Sequence, residues 1–244
     1  MDEQDILGQL GMSLVELKEV LAKKLNKISD DITIEYDNDR KGVFRINNGS
    51  PYIKVDEVDI FDGKEGVLNK SIFYGLPENT SSFSHDKPIG GELCATTDLY
   101  IKGENQKYPT RRSTRYRSCT PVGFDEKTNW RKGHILFAWL VDRFFYEDTF
   151  SSIEKKMMYF TQSKDSNEPV QDKGGMFNHF RYEELLQKWL EEDEIPFTKF
   201  RYSVLLIYKN ETEKVPIATL LQLDTDNVDY QFNVLAPNIE IEQI

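Results

Sequence analysis

The sequence predicts an α+β domain with a mostly antiparallel sheet, preceded by an N-terminal helical extension. Apolar residues recur at helical spacing over the first 30 residues and alternate from Ile32 onwards. Three further strand patterns follow residue 200, after a helix pattern over residues 182–191. The sequence contains no internal repeat and no glycine-rich phosphate-binding loop. This order of elements is typical of an α+β fold.

The composition fits a globular protein with a sizeable core. The chain has 244 residues, of which 39% are hydrophobic and 12% aromatic, which excludes a disordered chain. No apolar run approaches the roughly 18 residues that span a bilayer, and the acidic start does not resemble a signal peptide. We therefore expect no membrane partner, and a protein that is cytoplasmic or exported by a route without a cleavable signal peptide.

The first 30 residues predict two short helices. Gly11 is suited to end the first, and Ser13 with Glu16 forms a capping-box pattern for the second. The second helix carries an apolar stripe made of Leu14, Leu17, Leu21, Leu25 and Ile28. The stripe favours packing against the helix's own domain. A docking surface for a partner or a second copy is the alternative.

We expect residues 1–30 to form an extension and residues 31–244 a single domain, with a core over about 91–190 and closing strands over 200–238. An apolar helix or helical turn is predicted over 135–145 and a long loop over 76–91. The strand patterns cover residues 32–36, 43–46, 52–55, 93–101, 115–121, 201–208, 216–223 and 230–235.

Cys94 and Cys119 are the two cysteines of the chain, and no CxxC or Cys/His metal spacing exists. A structural zinc site is therefore not predicted. Two buried thiols are the favoured interpretation, and a disulfide between neighbouring strands is the alternative.

Charge is unevenly distributed along the chain. The net charge of −11 argues against nonspecific binding of nucleic acid by the whole surface. Residues 91–135 nevertheless carry nine Lys or Arg against five Asp or Glu. This basic segment indicates either a phosphate-handling cleft or a solvated strand face, and charge alone does not decide between them.

One histidine has a chemically suggestive setting. Hydrolysis of a phosphodiester needs a neutral base, a cation on the phosphate and relief of charge on the leaving oxygen. His134 could be the base, with Arg131 and Lys132 beside it. A hard divalent cation would take oxygen ligands, which the sequence offers at Asn167, Asp165 and Glu183. The competing interpretation is a structural histidine after a turn. The other two histidines, His85 and His179, are predicted to be exposed.

Several short stretches together resemble one family. They are Asn48–Val55, Gly91–Ala95 with Pro121–Phe124, Arg131-Lys132-Gly133-His134-Ile135-Leu136, the pair Gln162 and Asn167 five residues apart, Gly175-Met176 with Tyr182-Glu183, Arg201–Val204 and Phe232–Asn238. The sequence resembles the DNA/RNA non-specific endonucleases of the ββα-metal class, especially the bacterial DNA-entry type. The likeness runs from about Asn48 to Asn238, and no single motif carries it.

The resemblance implies a role for each site residue. His134 would be the general base, and Asn167 the direct protein ligand of a Mg²⁺ ion for which Mn²⁺ can substitute. Lys132 stands at the position of the family's arginine, and Arg112 or a neighbour would be the second phosphate clamp. Glu183 would help to hold the metal's water shell.

Two positions depart from the family pattern, and one supports it. Lys132 replaces an arginine, which loses bidentate geometry but keeps the charge. Arg131 replaces an acidic or amide residue and could itself take over the phosphate contact. Gln162 matches the family and is expected to support the site.

The resemblance implies a metal-dependent endonuclease with little sequence preference, which cuts DNA and leaves 5′-phosphates. RNA remains open as a second substrate. The alternative is a catalytically weakened nuclease-fold protein that serves as a nucleic-acid-binding or immunity module. A toxin, a phage enzyme or a defence effector would each fit such an activity. Its partner would be an inhibitor or immunity protein, or a second copy held through the N-terminal helices.

Overall fold

The computed structural model describes residues 2–52, 54–55, 73–74, 87–99, 120–125, 129–137, 139–140, 144, 159–168 and 177–240. Its strands are β1 (Ile34–Tyr36), β2 (Phe44–Ile46), β3 (Phe73–Tyr74), β4 (Gly90–Thr96), β5 (Arg131–His134), β6 (Tyr159–Gln162), β7 (Lys199–Ile207), β8 (Ala218–Thr225) and β9 (Phe232–Pro237). Its helices are α1 (Glu3–Leu10), α2 (Leu14–Leu25), α3 (Lys164–Asn167) and α4 (His179–Glu191).

The described strands form one large sheet and one separate ribbon. Seven strands pair in the order β1-β2-β9-β8-β7-β4-β3, and every neighbouring pair is antiparallel. Strands β5 and β6 form the two-stranded ribbon. The predicted α+β class with a mostly antiparallel sheet is therefore confirmed.

The two N-terminal helices begin and end where the sequence indicates. The Ser13 hydroxyl accepts a hydrogen bond from the Glu16 N–H, and the Glu16 carboxylate accepts one from the Ser13 N–H at 2.7 Å. Gly11 ends α1 at φ 61°, a left-handed conformation that glycine adopts without strain. The capping box and the glycine stop predicted from the sequence are both confirmed.

Both faces of the sheet are covered, because successive residues of a strand point to opposite sides. On β7, Tyr202 and Val204 join a cluster with α4 and β6, whereas Ile207 joins a cluster with α1 and α2. Leu17 and Leu21 of the predicted stripe are fully buried in the second cluster. The helices therefore pack on their own domain, as favoured. Ile28 is the exception: it lies beyond the end of α2 and is 69% exposed.

Some strand predictions need correction. The strand expected over residues 52–55 is wrong for the described residues, because Asn47–Gly49 form a 3₁₀ turn and Tyr52, Lys54 and Val55 are not in a strand. The strand expected over residues 93–101 begins earlier and ends at Thr96, since Thr97–Leu99 form another 3₁₀ turn.

Other predictions fall outside the described residues, including Arg112, Cys119, His85 and most of the loop over 76–91. Cys94 is a buried free thiol, and burial raises its pKa to about 12. Within the ranges given above, no helix is long and apolar enough to cross a membrane. The division of the chain at residue 30 stays a prediction.

Candidate active site

The ribbon and the short helix after it form a ββα unit. In this ribbon Arg131 lies opposite Gln162, and His134 lies opposite Tyr159. The chain then passes from β6 through Ser163 directly into α3. His134 ends β5 and Asn167 ends α3, so the predicted base and the predicted metal ligand belong to one continuous unit.

His134 is held as a neutral imidazole. Its ring lies 4.8 Å from the Tyr159 ring, measured between centroids, and it makes no hydrogen bond with any residue that the structure describes. Burial lowers the pKa of His134 to about 4, and the electrostatic effect of nearby His179 acts in the same direction. At neutral pH the imidazole is therefore unprotonated and can accept a proton.

Asn167 is also available to a ligand. Its side-chain carboxamide makes no hydrogen bond with another described side chain or backbone group. The backbone N–H of Asn167 donates to the Ser163 carbonyl at 3.1 Å. An amide oxygen is a hard donor of the type that Mg²⁺ accepts, usually with several water molecules completing the shell. The residue type and its lack of a protein partner in the described chain fit the metal implied by the resemblance.

Gln162 links the ribbon to the helix. Its Nε2 donates to the Ser166 hydroxyl at 3.1 Å, one residue before Asn167. Its side chain lies directly over Gly133, where an added Cβ would come within 2.8 Å of the Gln162 Cβ and Cδ atoms. The glycine before His134 is therefore required by the close approach of Gln162. The supporting role that the resemblance implies for Gln162 remains a prediction, which these contacts support.

We expect Gly133→Ala to lower the free energy of unfolding by about 1–3 kcal/mol, because the new methyl group must displace Gln162. Urea unfolding measures this change. Gly8→Ala is the matched control: Gly8 lies inside α1 with open space around it, so alanine there should stabilise the protein by about 0.5–1 kcal/mol. Equal effects of the two substitutions would contradict the packing of Gln162 on Gly133.

The two basic residues of β5 have different surroundings. The Arg131 Nε donates to the Glu168 carboxylate at 2.7 Å, which ties it to the residue after Asn167. Lys132 Nζ lies 5.4 Å from the centroid of the Phe124 ring. The predicted contacts of both residues with phosphate stay predictions, and Arg112 lies outside the described residues.

Glu183 belongs to a buried polar group that the sequence did not reveal. His179 Nε2 lies 3.0 Å from Glu183 Oε1, and His179 Nδ1 lies 2.9 Å from Thr219 Oγ1. The Thr219 hydroxyl also lies 3.4 Å from the Ala236 carbonyl oxygen, to which it can donate. His179 is 1% exposed, and its prediction as a surface residue is therefore wrong.

The buried contact between His179 and Glu183 affects the ionisation of Glu183. Burial raises the pKa of Glu183, and the charge and hydrogen bond of His179 oppose that shift. Burial is the main cause that raises the pKa of Tyr202, and the negative charge of Glu183 raises it further. The expected role of Glu183 in holding a metal's water shell stays a prediction.

Two asparagines that sequence reasoning did not assign to the site hold α3 in place. Asn178 Nδ2 donates to the Asp165 carbonyl at 2.6 Å and to the Glu168 carbonyl at 3.0 Å. The Asn238 carboxamide accepts from the Ser163 N–H at 2.7 Å. No local pattern could have found these contacts, since Asn238 lies 75 residues from Ser163 in the sequence.

A separate cavity of about 630 Å³ opens on the other face of the sheet, beside the end of α2. Its floor holds a buried ion pair in which Arg201 Nε donates to the Glu92 carboxylate at 2.8 Å. Lys24 and Lys27 line its rim. None of the predicted site residues that the structure describes lines this cavity, so it is distinct from the ββα unit.

His134 on a strand and Asn167 at the end of a helix thus lie on one ββα unit. No family model and no curated protein matches the sequence. Two solved structures of NucA from Streptococcus agalactiae do share its fold. The structure without metal has a TM-score of 0.59 at 17% identity, and the alignment covers 95% of this chain and 92% of the NucA chain. The structure with a magnesium ion bound has a TM-score of 0.60 at 19% identity, and the alignment covers 96% of this chain and 93% of the NucA chain.

Proposed function

We propose that the protein is a metal-dependent endonuclease that hydrolyses DNA with little sequence preference. The observation that carries this proposal is a pair of groups on one ββα unit, the His134 imidazole with its lowered pKa and the Asn167 carboxamide. Neither group makes a hydrogen bond with a residue that the structure describes. The fold shared with NucA supports it. RNA remains a second substrate to be tested.

In this proposal His134 acts as the general base. Its imidazole accepts a proton from the water that attacks the phosphorus atom, and its burial keeps it unprotonated at neutral pH. Lys132 provides positive charge for the phosphate oxygens, and Arg112 is the proposed second clamp. The 3′ oxygen is the leaving group, so the products carry 5′-phosphates. Contacts to phosphate rather than to base edges give little sequence preference.

Asn167 is the proposed protein ligand of Mg²⁺ or Mn²⁺. When bound, such an ion supplies positive charge that stabilises the phosphate and the leaving oxygen. Glu183 is proposed to orient water around the ion, and its bond to His179 fixes the direction of its carboxyl group. Gln162 acts indirectly, through its bond to Ser166. A toxin, phage or defence role and control by a partner protein stay hypotheses beyond this chemistry.

The test is a plasmid cleavage assay with purified protein and Mg²⁺, Mn²⁺ or EDTA. We expect nicking and linearisation with either metal and none with EDTA, and fragments that DNA ligase can rejoin because their 5′ ends carry phosphate. A His134→Ala protein purified in parallel controls for contaminating nuclease. Equal degradation by both proteins, or none by either with any metal, contradicts the proposal. DNA binding without cleavage would support the alternative, a nucleic-acid-binding module.

A further inference from the structure

Arg131 and Glu168 join the two halves of the candidate site. The Arg131 Nε donates to Glu168 Oε1 at 2.7 Å, and the two side chains are 38% and 40% exposed. Arg131 begins β5, three residues before His134, and Glu168 follows Asn167 directly at the end of α3. The pair therefore connects the strand that carries the base to the helix end that carries the proposed metal ligand.

Helix α3 cannot hold this position alone. It has four residues, whereas isolated helices shorter than about 12 residues are marginal in water. Its start is held by the Ser163 hydroxyl, which accepts from the Ser166 N–H at 3.1 Å. Its end is held by Asn178, which donates to the Glu168 carbonyl, and by Arg131, which binds the Glu168 side chain. Asn167 lies between these two anchored ends.

We propose that the Arg131–Glu168 ion pair is a positioning pair that sets Asn167 relative to His134. This inference rests on the proposed nuclease function. It assigns the guanidinium of Arg131 to the helix end, in place of the direct phosphate contact that its position next to Lys132 suggested. Glu168, which no sequence pattern singled out, becomes a positioning residue of the site.

Loss of the Arg131–Glu168 ion pair is expected to affect the site more than the stability of the fold. A half-exposed ion pair contributes little to global stability, so its loss leaves the protein folded. Misplacement of a ligand or base by about 1 Å can nevertheless lower a rate about 100-fold. The pair is therefore expected to affect metal binding and turnover much more than the melting temperature.

Glu168→Gln distinguishes positioning from simple charge. If Glu168 were only a negative charge near a polyanionic substrate, its neutralisation would tighten DNA binding and leave cleavage equal or faster. The positioning role predicts a kcat lowered about 10-fold or more, with the KM for DNA unchanged or lower. It also predicts weaker binding of Mn²⁺ to the DNA-free protein, measured by the paramagnetic resonance signal of free Mn²⁺.

A matched control lies on α4. Arg181 Nη1 donates to Glu184 Oε2 at 2.7 Å, and these side chains are 36% and 41% exposed. Glu184→Gln removes an ion pair of the same length and exposure without touching α3. We expect it to leave kcat and Mn²⁺ binding at the wild-type level.

Exchange of the two charges completes the test. Arg131→Glu and Glu168→Arg should each weaken Mn²⁺ binding, and the double variant should recover it in part. A Glu168→Gln protein that binds Mn²⁺ and cleaves like the wild type, or a double variant without recovery, overturns the inference. Failure of the proposed function looks different, because the wild type would then cleave no DNA with any metal. The Mn²⁺ comparison of Glu168→Gln with Glu184→Gln would still decide the positioning role.

Discussion

Replacement of His134 by alanine is expected to lower the rate of DNA cleavage about 10²–10⁴-fold, the range that removal of a general base produces. The protein should stay folded, because the His134 ring makes no hydrogen bond with any described residue and lies in contact with one aromatic ring. Cleavage rates at saturating Mg²⁺ measure the loss, and circular dichroism checks the fold.

The pH dependence makes this prediction sharper. Burial lowers the pKa of His134 to about 4, so the base stays neutral on acidification and wild-type activity declines only as the pH falls through about 4. Imidazole added to His134→Ala should restore part of the activity. Free imidazole titrates in the ordinary histidine range of about 6.5, so this rescue should fade below that pH while the wild type remains active. A wild-type acid limb near 6.5 would contradict the lowered pKa of His134.

The largest loss of stability is expected from Asn238→Ala. The Asn238 carboxamide accepts from the Ser163 N–H and donates to the Thr161 carbonyl at 3.1 Å and the Pro216 carbonyl at 2.8 Å. All three bonds are buried, so alanine leaves backbone groups without partners and without access to water. We expect the free energy of unfolding, measured with urea, to fall by about 2–4 kcal/mol.

Asn210→Ala is the matched control for this substitution. The Asn210 side chain likewise takes part in three hydrogen bonds. Its Oδ1 accepts them from the Thr212 N–H and hydroxyl and from the Glu213 N–H, but these groups are exposed. Water can replace the lost bonds there, so the change should stay within about 0.5–1 kcal/mol. Similar losses of stability for the two variants would show that the buried hydrogen bonds of Asn238 do not stabilise the fold.

Local sequence patterns predicted the parts of the fold whose causes are local. The capping box of Ser13 and Glu16, the glycine stop at Gly11 and the alternation of the closing strands each act within a few residues. Strand β5 was not predicted, because Arg-Lys-Gly-His has no apolar alternation. Its strand conformation comes from pairing with β6, which lies about 25 residues further along the chain.

The residues of the candidate site were predicted from the sequence, but the hydrogen bonds and ion pairs that hold them in place were not. His134, Asn167 and Gln162 were selected from spacing and resemblance, and the structure places them on one ββα unit. The buried setting of His179 depends on Thr219, 40 residues away, and the pair of Arg131 with Glu168 spans 37 residues. Contacts at such separations leave no periodic trace in a single sequence.

The packing of helices α1 and α2 against one face of the sheet has a consequence for the order of folding. Helices α1 and α2 precede every strand that the structure describes, yet they pack on Leu220 of β8 and Leu235 of β9. About 190 residues separate the end of α2 from the start of β8. At 5–20 residues per second a ribosome needs roughly 10–40 s to make that length. Helices of 8 and 12 residues are marginal alone, so this N-terminal pair reaches its final conformation only when the last strands arrive.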